Sequence, residues 1–255
     1  MALTAQELEK LMPDASQLLS DEPEMESSLH YMQLLLLVTC LEWLWRDQND
    51  FFIGANLTIY FSRQQLKNRD FRGPDFFLVK QTEKRPRNAW VVWEEDGKYP
   101  NLIIELLSNS TATVDRNLKK VLYQDRFRTP EYFWFSPETF EFEGFRLSGH
   151  EYQAIAPNPQ GWRWSEELGL FLGIEANQLR YFTLAGEKVP TPEEAAAQAN
   201  IQFEQTSAQL EQASVQLEQT SAQLEQERQQ REAAQQQAAI LTERLRSLGI
   251  DPDQP

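Results

Sequence analysis

The chain has 255 residues, of which 41% are hydrophobic, with 24 lysines and arginines against 39 aspartates and glutamates and a formal net charge of −15. Such a length and apolar share support one substantial core plus an appendage, while the charge opposes indiscriminate attraction to phosphate backbones. A single cysteine, Cys40, excludes an internal disulfide, and with only two histidines no zinc-ligand spacing is present.

No apolar run reaches the eighteen or so residues that a membrane span needs, because Met32–Leu44 is interrupted by Glu42 and followed by Arg46. The opening Met-Ala-Leu-Thr-Ala-Gln-Glu lacks the basic and apolar regions of a signal peptide, so a cytoplasmic location without membrane contact is expected. There is no glycine-rich phosphate loop and no nucleophile-elbow pattern.

A short helix is expected at residues 4–11, followed by irregular chain to about residue 25. Ser27-Ser28 then reads as the cap of an apolar helix running to about Arg46, with Leu29, Met32, Leu36, Cys40, Trp43 and Leu44 offered as its buried face. His30 lies in its first turn, where a packed or surface role is the simpler reading and a hydrogen bond near a site the sharper one.

From Asp50 the texture changes to short β-prone runs at 57–62, 75–80, 90–94 and 102–107. Asp96-Gly97 between the last two reads as a hairpin turn. A helix is expected at 114–127 with Leu118, Val121 and Leu122 as its apolar stripe. Aromatic-rich strands follow at 131–135, 140–147, 152–156 and 162–164, extending the sheet, and segments at 171–174 and 179–184 finish the domain. Trp134, Trp162 and Trp164 suit β-face packing better than stacking on bases.

Two of these runs carry a carboxylate that an apolar strand does not need. Asp75 opens one and Glu105 sits inside another, and a charge in such a place is costly unless paired or bound to a cation. Adjacent strands would bring the two within reach of one divalent ion. Downstream, Asp115, Lys119 and Tyr123 recur every fourth residue and form one helix stripe, explicable by an i,i+4 ion pair or by aim at the Glu105 strand. The segment 63–87 holds eight basic residues against three acidic ones, a local charge of +5 that brackets Asp75. Arg72, Lys80, Lys84, Arg85 and Arg87 are its candidate nucleic-acid contacts; solvated strand and loop faces are the bland alternative.

The ordered set Pro74-Asp75, Ile103-Ile104-Glu105-Leu106-Leu107-Ser108, Asp115, Lys119, Tyr123 and Pro130-Glu131-Tyr132 resembles the PD-(D/E)XK nuclease superfamily, and within it the Uma2-like (DUF820) branch, abundant in cyanobacteria. The resemblance covers roughly residues 25–180. It implies an α+β, restriction-endonuclease-like mixed sheet flanked by helices, and Mg²⁺- or Mn²⁺-dependent hydrolysis of DNA. Asp75, Glu105 and the Leu106 carbonyl would hold the ion, with Glu26 matching the place of an extra acid from the first helix. The usual motif puts a lysine two residues after the glutamate, where this chain has Leu107, so Lys119 would replace it from the helix. Asp115 and Tyr123 would support it and Lys120 would be the fallback. A non-catalytic nuclease fold serving as an assembly module is the alternative.

After Lys188-Val-Pro-Thr-Pro the composition turns to Ala, Gln and Glu, free of Gly and Pro until Gly249. The heptad Glu204–Leu210 recurs as Glu211–Leu217 and Glu218–Leu224, which lines Phe203, Leu210, Leu217 and Leu224 on one seam. A long helix is expected, either solvated and single or a stalk that makes the protein a homo-oligomer, with a dimer the simplest. The expected divisions are 1–25, 26–187 and 188–255.

Overall fold

The computed structural model describes residues 18–22, 25, 27–62, 73–108 and 115–249. The expected helix at 4–11 lies outside them. Helix α1, Ser28–Leu44, begins where the Ser27 side chain accepts from the His30 N–H. Its buried residues are His30, Gln33, Leu34, Leu37, Cys40 and Leu41, so of the expected face only Cys40 is buried, and Leu29 and Met32 are exposed. The reason is physical: four consecutive leucines make the helix apolar all round, and periodicity then selects no face. Selection falls to two polar residues that find partners inside. The Gln33 side-chain amide donates to the Leu179 carbonyl and accepts from the Leu179 N–H, both at 3.0 Å.

Six strands form the main sheet in the order β1-β3-β5-β6-β7-β8: β1 Phe51–Ala55, β3 Phe76–Lys80, β5 Leu102–Leu106, β6 Glu131–Phe135, β7 Phe142–Ser148 and β8 Glu151–Ala154. All neighbours are antiparallel except β5 and β6. The β5–β6 crossover carries helix α2, whose two segments Asp115–Lys119 and Leu122–Phe127 have π-type turns. Alternation divides the sheet cleanly. Phe76, Leu78, Leu102, Ile104, Leu106, Phe133 and Phe135 face α1, whereas Phe77, Val79, Ile103, Leu107, Tyr132 and Trp134 face Tyr123 and Phe127 of α2.

Several sequence expectations are corrected. Phe51–Ala55 is a further strand, and the run at 57–62 narrows to β2, Ile59–Tyr60. That strand pairs in parallel with β4, Trp90–Val91, outside the main sheet, and a 3₁₀ turn at Val92–Glu94 follows. Asp96 and Gly97 do adopt positive φ, but they join that turn to β5 rather than two paired strands, so there is no hairpin. The segment around Trp164 does not extend the main sheet. It is β9, Arg163–Ser165, in a separate antiparallel sheet with β10, Leu170–Glu175, and β11, Gln178–Phe182. That sheet packs Leu170, Leu172, Leu179 and Tyr181 onto the α1 side of the core. The α2 stripe is also different: Leu118 and Val121 are exposed, and Tyr123 and Phe127 are buried.

The chain divides into two compact units, Met1–Glu193 and Glu194–Pro255. Helix α3, Pro192–Ser247, is 56 residues long and has no buried residue. Among the described residues no helix is long and apolar enough to cross a membrane.

Candidate functional site

The site starts from strand register. Phe76 pairs with Ile104 in the antiparallel β3–β5 ladder, so the next pair outward is Asp75 opposite Glu105. Both side chains fall on the sheet face that carries Phe77 and Ile103, which is the face covered by α2. Asp75 is held from two sides: its carbonyl accepts from the Asn56 N–H at 2.7 Å, and its Oδ2 accepts from the Leu106 N–H at 2.7 Å. The Asp75 N–H lies 3.4 Å from Glu105 Oε2. A carboxylate thereby takes the ladder position where β3 has run out.

The turn before Asp75 is equally constrained. A Cβ on Gly73 would stand 2.2 Å from the Leu57 carbonyl oxygen, a backbone atom that cannot swing aside, so only glycine fits. Glu22 accepts from the Gly73 N–H and, at 2.7 Å, from the Thr58 hydroxyl. The reading of the sequence had no signal for Glu22, because its partners lie 36 and 51 residues away.

Glu105 has no exposed surface. Its Oε1 accepts from the Tyr123 hydroxyl at 2.7 Å and stands 3.0 Å from Lys119 Nζ. The sequence stripe Lys119–Tyr123 is thus aimed at the Glu105 strand. A π-type turn carries each residue, a local geometry that recurs at functional sites. Stability does not explain such a pair, since replacing a buried ion pair by apolar residues is often neutral or favourable. A buried charged cluster at a strand end instead marks a candidate for chemistry.

The remaining candidates are placed as follows. Lys120 has its Nζ 3.3 Å from the centre of the Phe145 ring and 5.4 Å from that of Trp134, and burial holds its pKa below the usual lysine value against the pull of Glu143. Leu106 faces Asp75 through its N–H, and in an extended strand its carbonyl turns to the same side. Glu26 and Arg72 lie outside the described residues, as does the Asp115 side chain. Lys80 pairs with Glu167 at 3.2 Å, Lys84 with Glu42, and Arg85 and Arg87 with Glu95. The Arg87 side chain is buried and its guanidinium lies over Phe52 and Trp90. Lys80 ends β3 five residues from Asp75, about 17 Å away along the strand.

His30 is the feature that the sequence left undecided. It is buried, with Nε2 3.1 Å from the Leu107 carbonyl and Nδ1 2.8 Å from Ser27 Oγ. Another buried acid, Glu131, faces the other side of the sheet and is satisfied there by Arg146, Ser165 and the Glu166 N–H. Among the described residues no three His, Cys, Asp or Glu side chains cluster as metal ligands. Asp75 and Glu105 form a pair.

Known proteins give the family. The model described as "Uma2: Putative restriction endonuclease" matches residues 17–183. Among solved structures the chain is similar to a putative nuclease belonging to DUF820 from Anabaena variabilis ATCC 29413, at 15% identity and a TM-score of 0.42, covering 66% of this chain and 91% of that one. No curated protein matches the chain. Since the family match runs through both acid-bearing strands, α2 and the small sheet, the chain belongs to the Uma2 family of restriction-endonuclease-type proteins.

Proposed function

We propose that the protein hydrolyses DNA phosphodiester bonds with a divalent cation, Mg²⁺ or Mn²⁺, at Asp75, Glu105 and Lys119. The observation that carries the reading is the opposition of Asp75, just before β3, and Glu105 on β5, with Lys119 Nζ 3.0 Å from Glu105. Two carboxylates and the Leu106 carbonyl make an all-oxygen donor set, which suits a hard cation. Such an ion, when bound, acidifies a water and offsets charge at phosphorus. The chain's own groups do the rest. The Leu106 N–H fixes the Asp75 carboxylate and the Tyr123 hydroxyl fixes that of Glu105, so both acids are preorganised. Lys119 stands beside this set, its Nζ 3.0 Å from Glu105 and its side chain keeping a small exposed fraction. It orients the attacking water and meets the charge developing on the phosphate. Of the described basic candidates, Lys80, Lys84 and Arg85 keep part of their side chains exposed, and a phosphate would compete with their acidic partners there.

The test is direct. At low salt, where backbone attraction is strongest, purified protein with Mg²⁺ should cut single- or double-stranded DNA, and excess chelator should stop it. Protein that cuts neither would end the endonuclease reading.

A second reading rests on α3. An unaccompanied helix draws little stability from propensity alone, and this one has no buried side chain while Phe203, Leu210, Leu217 and Leu224 lie exposed at heptad spacing. Pairing of that seam with a second copy makes the protein a homo-oligomer, whether or not the site is active. Sedimentation of a chain ending at Pro190 should show a smaller species than the full chain; an unchanged oligomeric state would remove the stalk.

A further inference from the structure

We infer that His30 is a positioning residue for the Glu105 strand, supplying from α1 the hydrogen bond that the sheet itself is unable to give. This inference rests on the nuclease reading above. In the parallel β5–β6 ladder the Leu107 N–H donates to the Phe135 carbonyl at 2.7 Å. The next step of a parallel ladder would return a bond from the N–H of residue 137 to the Leu107 carbonyl. Residue 137 is proline and has no N–H. Leu107 is buried, so its carbonyl requires another donor or carries the cost of an unmet acceptor.

His30 Nε2 fills that place at 3.1 Å. A carbonyl only accepts, so Nε2 carries the proton, and Nδ1 then accepts from the Ser27 hydroxyl at 2.8 Å. Ser27 is also the N-cap of α1, its oxygen accepting from the His30 N–H. The chain of contacts runs from the start of α1 through the imidazole to Leu107, one residue beyond Leu106 and two beyond Glu105. It sets where β5 ends, and with it the Leu106 N–H that holds Asp75 and the carboxylate that Lys119 and Tyr123 engage. The bond is 77 residues long in sequence, and Pro137 is the one local sign that it is needed.

Cleavage kinetics and amide exchange of the full chain test this together. His30→Ala should lower kcat about 10- to 100-fold with KM little changed, the scale of a small misplacement of reacting groups. It should also speed hydrogen exchange at Leu106 and Leu107 over that of the other β5 amides. His30→Gln, whose amide nitrogen reaches the place of Nε2, should restore most of both. If His30→Ala does not fold, Ser27→Ala frees the ring without a large cavity and should give a smaller loss of the same kind. Wild-type-like kcat and exchange in His30→Ala, or in Ser27→Ala where only that variant folds, would overturn the assignment. So would a His30→Gln variant no better than His30→Ala. A wild type that does not cleave overturns the nuclease reading and this role with it. That result is distinguishable, because the wild-type assay alone decides it.

Discussion

Lys119→Ala is expected to slow DNA cleavage by about 10²-fold or more, the scale of losing one positioned acid–base or electrostatic group. Its ammonium is 3.0 Å from a carboxylate with no exposed surface, which in the proposed reaction puts it where charge changes at phosphorus. Removing it takes a cation away from Glu105 and removes neither acid, so divalent-metal affinity should be kept or rise. Lys120→Ala is the internal control. That lysine lies over the Phe145 and Trp134 rings, and its loss should change kcat only a few-fold. Single-turnover rates of the two variants read the difference, and Lys119→Ala cutting as fast as the wild type would strip that lysine of its role.

Glu131→Ala should destabilise the protein by about 3 kcal/mol, because breaking a buried charged pair strands its partners. Glu131 is buried at the start of β6, where Oε1 accepts from Arg146 at 2.9 Å and from the Glu166 N–H at 2.8 Å, and Oε2 accepts from the fully buried Ser165 hydroxyl. The residue therefore clips the main sheet to the turn between β9 and β10. Arg146 is about a third exposed and keeps Glu166 as a second partner, which places the estimate at the low end of the range for such losses. Urea unfolding monitored by tryptophan fluorescence gives the number; a change under about 1 kcal/mol would mean that the small sheet docks without this clip.

What the sequence disclosed and what it hid follow from the range of the interactions. Asp75 and Glu105 were legible because a charge inside an apolar strand is a local anomaly, and Lys119 and Tyr123 because spacing by four is a property of one helix. The face of α1 was not legible. Its apolar residues run all round, and the contacts of Gln33 that orient it are 146 residues away. The surroundings of the basic segment were hidden for the same reason. Its local charge of +5 counts neighbours in sequence, yet Lys84 meets Glu42 and Lys80 meets Glu167 in space. Glu131 belongs to the set that carries the resemblance, and the fold gives it the structural role of joining β6 to the small sheet.

The most direct measurement is calorimetric titration of Mg²⁺, and then Mn²⁺, into the wild type, Asp75→Ala, Glu105→Ala and Lys119→Ala under one buffer. The two acids hold the ion in this account and the lysine does not. The wild type and Lys119→Ala should therefore bind, and both acid variants should lose the binding heat while retaining a folded circular-dichroism spectrum. Wild-type affinity in a folded Glu105→Ala would contradict the account at its centre.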